Sequence, residues 1–290
     1  MTILERIAVT GATGQLGRLV IAELLRIAPS ADLIGIVRNA SAAKDLAERG
    51  VELRTANYED PAAVKAALAG VDKVLLISSS QIGQRVRQHS HVIDAAKAAG
   101  VKLIAYTSLL RADTSPMALA EEHRKTEALI RASGIPFVFL RNGWYTENYT
   151  GNLAAAVQHG AVLGAAGQGR ISSAARADYA AAAAAVLASR DSQAGQIYEL
   201  AGDNAFTLAD YAAEIARQSG RPIVYKDLPE ADYRAALVSM GLPEAFAAIL
   251  AESDAKAAKG SLYDDSRQLS RLIARPTTPM AQSVAAALAR

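Results

Sequence analysis

A chain of 290 residues, 51% hydrophobic and 21% charged, can bury a full core as one large or two small domains. Its formal charge of +2, with no dense run of Lys and Arg, offers no nucleic-acid surface, and the lack of cysteine excludes disulfides, thiol redox chemistry, iron–sulfur clusters and cysteine-based zinc sites. No uninterrupted apolar stretch reaches the ~18 residues of a membrane span, and the first strand starts too early for a signal segment, so a cytoplasmic globular protein is expected.

Ile7–Thr10 is a short apolar run expected as a buried strand, and Leu16–Leu25 carries apolar residues at helical spacing (Leu16, Leu19, Val20, Leu24). Gly11, Gly14 and Gly17 fill the junction in a G-x-x-G-x-x-G pattern. The first allows a sharp turn, the second removes a side chain where phosphate must approach backbone amides, and the third lets helix and strand pack closely. A helix N-terminus adds unpaired amide donors and partial positive charge. A plain tight turn is the alternative, but the setting between strand and helix is the one a pyrophosphate requires. The second strand, Leu33–Val37, ends in Arg38-Asn39. An NAD enzyme places an acid about there, roughly 20 residues past the glycine turn, to bond the ribose hydroxyls. Arg38 instead suits a 2′-phosphate, which favours NADPH over NADH.

Further strands are expected at 51–54, 73–77, 102–106 and 136–140, with helices between. Asp60 followed by Pro61 marks one helix start, and Gly70, Gly100 and Gly134 mark helix ends. This alternation over residues 1–150 argues an α/β fold with a doubly wound parallel sheet covered on both faces. Beyond 150 the rhythm loosens. A Gly/Ala loop covers 164–169, an alanine helix 178–187, a strand 197–200 and an amphipathic helix 208–218. Residues 227–260 read as helical, with Leu237, Met240, Phe246, Ile249 and Leu250 as the apolar set. The region 151–290 is expected to be smaller, mainly helical and on the substrate side, with some of its segments free to return to the sheet.

Several strand ends carry groups suited to a ligand. Ser78, Ser79 and Ser80 follow the fourth strand and Thr107-Ser108 the fifth, where hydroxyls can bond ribose or nicotinamide or else cap the next helix. After the sixth strand, Gly143 permits close approach to a ring, while Trp144, Tyr145 and Tyr149 offer flat faces for an aromatic substrate, or else seal a domain interface. His123 and Glu127 lie one helical turn apart where short-chain dehydrogenases carry Tyr-x-x-x-Lys, a pair absent here. They are either a substitute proton source or an exposed i,i+4 pair, with the exposed pair favoured. His89 and His91 lack the carboxylate or cysteine framework of a metal site, so no metal is expected.

The strings Thr10–Gly17, Val37-Arg38-Asn39, Ile77–Ser80, Tyr106–Leu110 and Leu140-Arg141-Asn142-Gly143-Trp144-Tyr145 resemble those of the NmrA-like atypical short-chain dehydrogenases/reductases. Within that family the chain is similar over its whole length to the bacterial type 2 NAD(P)H:quinone oxidoreductases, and next to the triphenylmethane dye reductases. The late Leu262–Ser266 and Arg275–Thr278 share in this likeness. The resemblance implies a Rossmann domain (1–150) plus a small C-terminal domain. It implies NADPH held by Gly11, Ala12, Thr13, Gly14, Gln15 and Leu16, by Arg38, by Ser78, Ser79 and Ser80, and by Asn142, Gly143, Trp144, Tyr145, Thr146 and Glu147, with a quinone beside the nicotinamide. A quinone accepts hydride directly and its product oxyanion is a weak base, so an elaborate acid is dispensable. No second phosphate turn for a flavin is evident. Direct two-electron transfer from NADPH to a quinone is therefore expected, with Tyr145 stacking on the quinone and His123 at most an auxiliary proton donor. The alternatives are an NADP(H)-binding redox sensor without turnover, or a reductase of other conjugated aromatics such as triphenylmethane dyes.

Overall fold

The computed structural model describes residues 5–29 and 31–289, arranged as two compact units. The first gathers the residues up to Ala112 with Glu122–Asn142 and Arg176–Glu199; the second takes Asp113–Glu121, Gly143–Ala175 and the residues from Leu200 on. The two units interleave along the chain. Residues 176–199 return to the first unit, and 113–121 leave it.

The first unit is built on a seven-stranded sheet. Its strands are β1 (Arg6–Val9), β2 (Asp32–Val37), β3 (Glu52–Thr55), β4 (Lys73–Leu76), β5 (Leu103–Leu109), β6 (Phe137–Asn142) and, at the edge, β8 (Gln196–Leu200), which follows β7 (Ala161–Gly164) of the second unit in the chain. Their order is β3-β2-β1-β4-β5-β6-β8, and β1 to β6 pair in parallel. Period-2 alternation sends Ala8, Ile34, Ile36, Val74, Leu76, Ile104, Tyr106 and Phe139 into one core, with buried residues of α3 (Pro61–Ala67), α4 (Arg85–Ala98) and α5 (Leu119–Ser133). On the other face α1 (Gln15–Ile27) packs against α8 (Arg176–Ala188), whose buried Ala180, Ala182, Ala183 and Ala184 allow close helix approach. This is a Rossmann-type doubly wound fold. Strand order reverses between β1 and β4, and such sheets bind ligands outside the carboxyl ends of the strands at that switch point.

The second unit is mainly helical. β7 (Ala161–Gly164) and β9 (Val224–Asp227) form a parallel pair among short helices, including α9 (Leu208–Ser219) with a Thr207–Asp210 capping box. The expected helical region 227–260 divides into α10 (Glu230–Ser239) and α11 (Glu244–Ala257), broken at Gly241-Leu242-Pro243. Its apolar set also needs correction. Leu237 is buried, but Met240 is 44% and Phe246 50% exposed, while the small Ala247, Ala251 and Ala257 face inward. Among the described residues no helix is long and apolar enough to cross a membrane.

Candidate functional site

The turn after β1 is shaped by its glycines. Gly11 sits at φ +58°, and a Cβ on Gly17 would stand 2.4 Å from the Gly11 carbonyl oxygen and 2.9 Å from Ala12 Cα. Only a bare Cα fits there, so helix and turn lie in direct backbone contact. Gly14 is the N-cap of α1, with no side-chain cap and no acid in the first turn. By contrast, Asp60 accepts from the Ala62 and Ala63 amides at the start of α3. The first amides of α1 are therefore left for an anion. Ala12 and Leu16 bury their side chains in the core, which leaves only their backbone to a ligand.

Arg38 is exposed beyond the end of β2 and makes no hydrogen bond or ion pair with the described residues. Its neighbour Asn39 is occupied in accepting from Ser41. Arg18 is engaged by Asp45, the Thr13 carbonyl and the Ala42 carbonyl. Of these two arginines, Arg38 is the one without such a partner among the described residues.

The loop after β4 is suspended from side chains of the strands and of α4. Ile77 N–H donates to Thr10 Oγ1 (2.9 Å) and Ser78 N–H to Thr107 Oγ1 (2.8 Å). Ser79 donates from N–H to His89 Nε2 (3.0 Å) and from Oγ to Gln88 Oε1 (2.5 Å). None of the three serines caps α4, whose N-cap is Gln84. The hydroxyls of Ser78 and Ser80 have no partner among the described residues.

His123 and Glu127 are not the exposed pair that their spacing suggests: both are 4% exposed. Their partners come from other elements. His123 Nδ1 meets Tyr106 Oη at 2.8 Å, and burial drives the imidazole pKa well below its usual value, keeping it neutral. Glu127 holds Arg141 in a two-pronged ion pair (2.9 and 2.8 Å) and accepts from Ser108 Oγ (2.6 Å). Arg141 also reaches Glu199 Oε1 (2.8 Å), whose other oxygen accepts the Arg111 N–H (2.7 Å). This buried network ties together the ends of β5, β6 and β8, next to Asn142. Asn142 is 5% exposed and its Oδ1 has no partner among the described residues. A buried acceptor in that state suits a ligand donor.

The aromatic residues that follow are divided between two jobs. Trp144 belongs to a core cluster with Met117, Ile171, Leu208 and Leu262, and Tyr149 packs edge-on to Phe206. The expectation that both present free flat faces is corrected: they build the second unit's core. Gly143 donates its amide to the Leu200 carbonyl (2.7 Å), and Thr146 is held by Ala174 and Ser173. Tyr145 and Glu147 are only partly buried. Among the described residues no group of three or more His, Cys, Asp or Glu is placed to hold a metal.

The profile of the NmrA-like family matches residues 4–278. Quinone oxidoreductase 2 of Escherichia coli (strain K12) is 56% identical over 278 residues, 96% of this chain and 97% of that protein. The crystal structure of the NADPH-dependent quinone oxidoreductase from Escherichia coli complexed with NADPH superimposes with a TM-score of 0.94 at 55% identity, covering 97% of this chain and 99% of that one. The Citrobacter sp. triphenylmethane reductase complexed with NADP(H) gives a TM-score of 0.92 at 39% identity, with the same coverage.

Proposed function

This chain belongs to the NmrA-like family, and from that premise we infer that it is an NADPH-dependent quinone oxidoreductase. What carries the reading is the full-length likeness to the NADPH-bound quinone oxidoreductase, together with an uncapped, glycine-lined helix start and an exposed Arg38 at the end of β2. The residues present fit the dinucleotide. The first amides of α1 would take its diphosphate, Arg38 its 2′-phosphate, and the Ser78 and Ser80 hydroxyls and Asn142 Oδ1 its remaining polar groups.

When bound, NADPH supplies the hydride, and no flavin is required. The chain's own work is to bind, to orient and to manage the proton. Tyr145, three residues beyond Asn142 on the same segment, is proposed to stack on the quinone ring and to donate its hydroxyl to a quinone oxygen. His123 is neutral and its Nδ1 is taken by Tyr106, so it is an auxiliary donor at most. Water protonates the weakly basic hydroquinone anion. We place the reaction in the cytoplasm, where NADPH is regenerated.

The test is consumption of NADPH on adding a benzoquinone to the purified protein, with a visible spectrum recorded first. Turnover without a flavin band is expected. A protein that binds NADPH but consumes none with any benzoquinone would overturn the reading in favour of a sensor. A stoichiometric flavin whose removal abolishes activity would overturn direct transfer.

A further inference from the structure

Every polar group of Ser79 is held, and the holders come mainly from one helix. Its N–H donates to His89 Nε2 (3.0 Å), its carbonyl accepts from Arg85 Nε (2.7 Å), and its hydroxyl donates to Gln88 Oε1 (2.5 Å) while accepting the Gln81 N–H (3.2 Å). Residues 85, 88 and 89 share one face of α4, as i, i+3 and i+4 positions do. Each gripping side chain is itself fixed. Arg85 Nη1 faces Glu122 Oε2 as an ion pair (3.2 Å) without hydrogen-bond geometry, the other Glu122 oxygen accepts the Gly83 N–H (3.0 Å), and Gln88 Nε2 donates to Glu59 (2.8 Å).

The histidine has a defined tautomer. A backbone amide points its hydrogen at Nε2, so that nitrogen carries none, and the ring's single proton sits on Nδ1. Nδ1–H then donates to Thr126 Oγ1 (3.0 Å), whose own proton goes to the Glu122 carbonyl (2.9 Å). His89 is fully buried, which lowers its pKa to about 3, so the acceptor at Nε2 persists throughout the neutral range. Polar groups placed this deep are costly unless each is satisfied, and a loop that only had to turn would not need three of them on one residue.

We propose that His89, with Arg85 and Gln88, is a positioning residue that grips Ser79 so that the flanking Ser78 and Ser80 hydroxyls are presented to the dinucleotide. The inference rests on the reading of this chain as an NADPH enzyme. It assigns Ser79 to the protein and only its two neighbours to the cofactor.

The decisive comparison is between His89→Gln and His89→Asn. A glutamine amide oxygen reaches the place of Nε2, whereas an asparagine reaches only that of Nδ1. NADPH affinity by fluorescence titration, KM for NADPH, kcat at saturating NADPH and thermal midpoint are measured for each variant. His89→Asn is expected to weaken NADPH about tenfold, as loss of one buried hydrogen bond does, with kcat within about twofold of wild type. His89→Gln restores the affinity. A purely structural histidine would lower the thermal midpoint and the active fraction without moving Kd, and that result overturns the proposal, as does equal affinity in the two variants. Should neither variant fold, long-range proton–nitrogen NMR of the wild type decides. A protonated Nδ1 on His89 between pH 6 and 8 is expected, and a protonated Nε2 overturns it. Failure of wild-type protein to bind NADPH would instead refute the functional reading, a distinct result from variants that bind as well as wild type.

Discussion

We propose that selectivity between the two nicotinamide dinucleotides rests on Arg38, an exposed guanidinium without an ion pair among the described residues. Arg38→Ala should weaken NADPH by about 1.5–3 kcal/mol, roughly ten- to a hundredfold, and leave NADH nearly unchanged. Paired titrations check this, and equal losses for both would remove Arg38 from the site. The proton and the quinone test other residues. Burial, with the nearby Arg85 and His89, keeps His123 neutral, so His123→Ala should cost little turnover. A residue that orients substrate and stabilises developing charge acts on turnover and not only on binding, so Tyr145→Ala should lower kcat/KM for a benzoquinone substantially while NADPH affinity holds. Steady-state kinetics of the two variants with one quinone decide the matter, and the opposite ranking would exchange their roles.

Elements are positioned by backbone contacts and buried charge. Gly17→Ala would drive a Cβ to 2.4 Å from the Gly11 carbonyl oxygen, forcing α1 away from β1 and opening the anion cradle, so NADPH binding should fall sharply in a protein that still folds. Unaltered affinity in that variant would show that the turn does not carry phosphate. Arg141→Leu should lower stability by about 3–5 kcal/mol in urea unfolding, because Glu127 and Glu199 would be left as buried or half-buried carboxylates without their cation. Glu127→Gln should cost less, since Glu199 still balances Arg141. This network also shows where sequence reading stops. The tight glycine turn between β1 and α1 and the alternating strands were legible because their meaning lies in local spacing. Glu127 was misread because an i,i+4 histidine suggested a partner, whereas its real partners, Ser108 and Arg141, stand on β5 and β6. Trp144 was misread for the same reason: the residues that bury it, Met117 and Leu262 among them, are remote in the chain. The unequal roles of the three serines depend on which face of α4 looks at them, and no motif records that.

Across the whole molecule, buried titratable groups set the dependence of stability on pH, and they act in opposite directions. In the unfolded chain each histidine titrates near 6.5, whereas in the fold His89 is lowered to about 3 and His123 lies well below its usual value. Between those limits the unfolded chain binds protons that the folded one refuses. The stability due to neutral histidines is thus complete above pH ~6.5 and is lost as pH falls, at about 1.4 kcal/mol per pH unit for each. Asp254 works the other way. Burial, the largest cause, and the nearby Asp227 raise it to about 7, against a single opposing bond from the Ala165 N–H (3.2 Å). Its folded form keeps a proton that the unfolded chain has released, so its contribution is complete below pH ~4 and is lost as pH rises to ~7. Two histidines against one aspartate leave a net acid loss below ~6.5 and a gentle decline from there to ~7, placing the optimum near pH 6.5. Asp254→Asn isolates the aspartate. The amide oxygen still accepts from Ala165 but does not titrate. Urea midpoints measured from pH 4 to 8 should therefore show the variant gaining on wild type by about 1.4 kcal/mol per unit up to ~7, then running parallel above it. Curves parallel over the entire range would mean that Asp254 is already ionised in the fold.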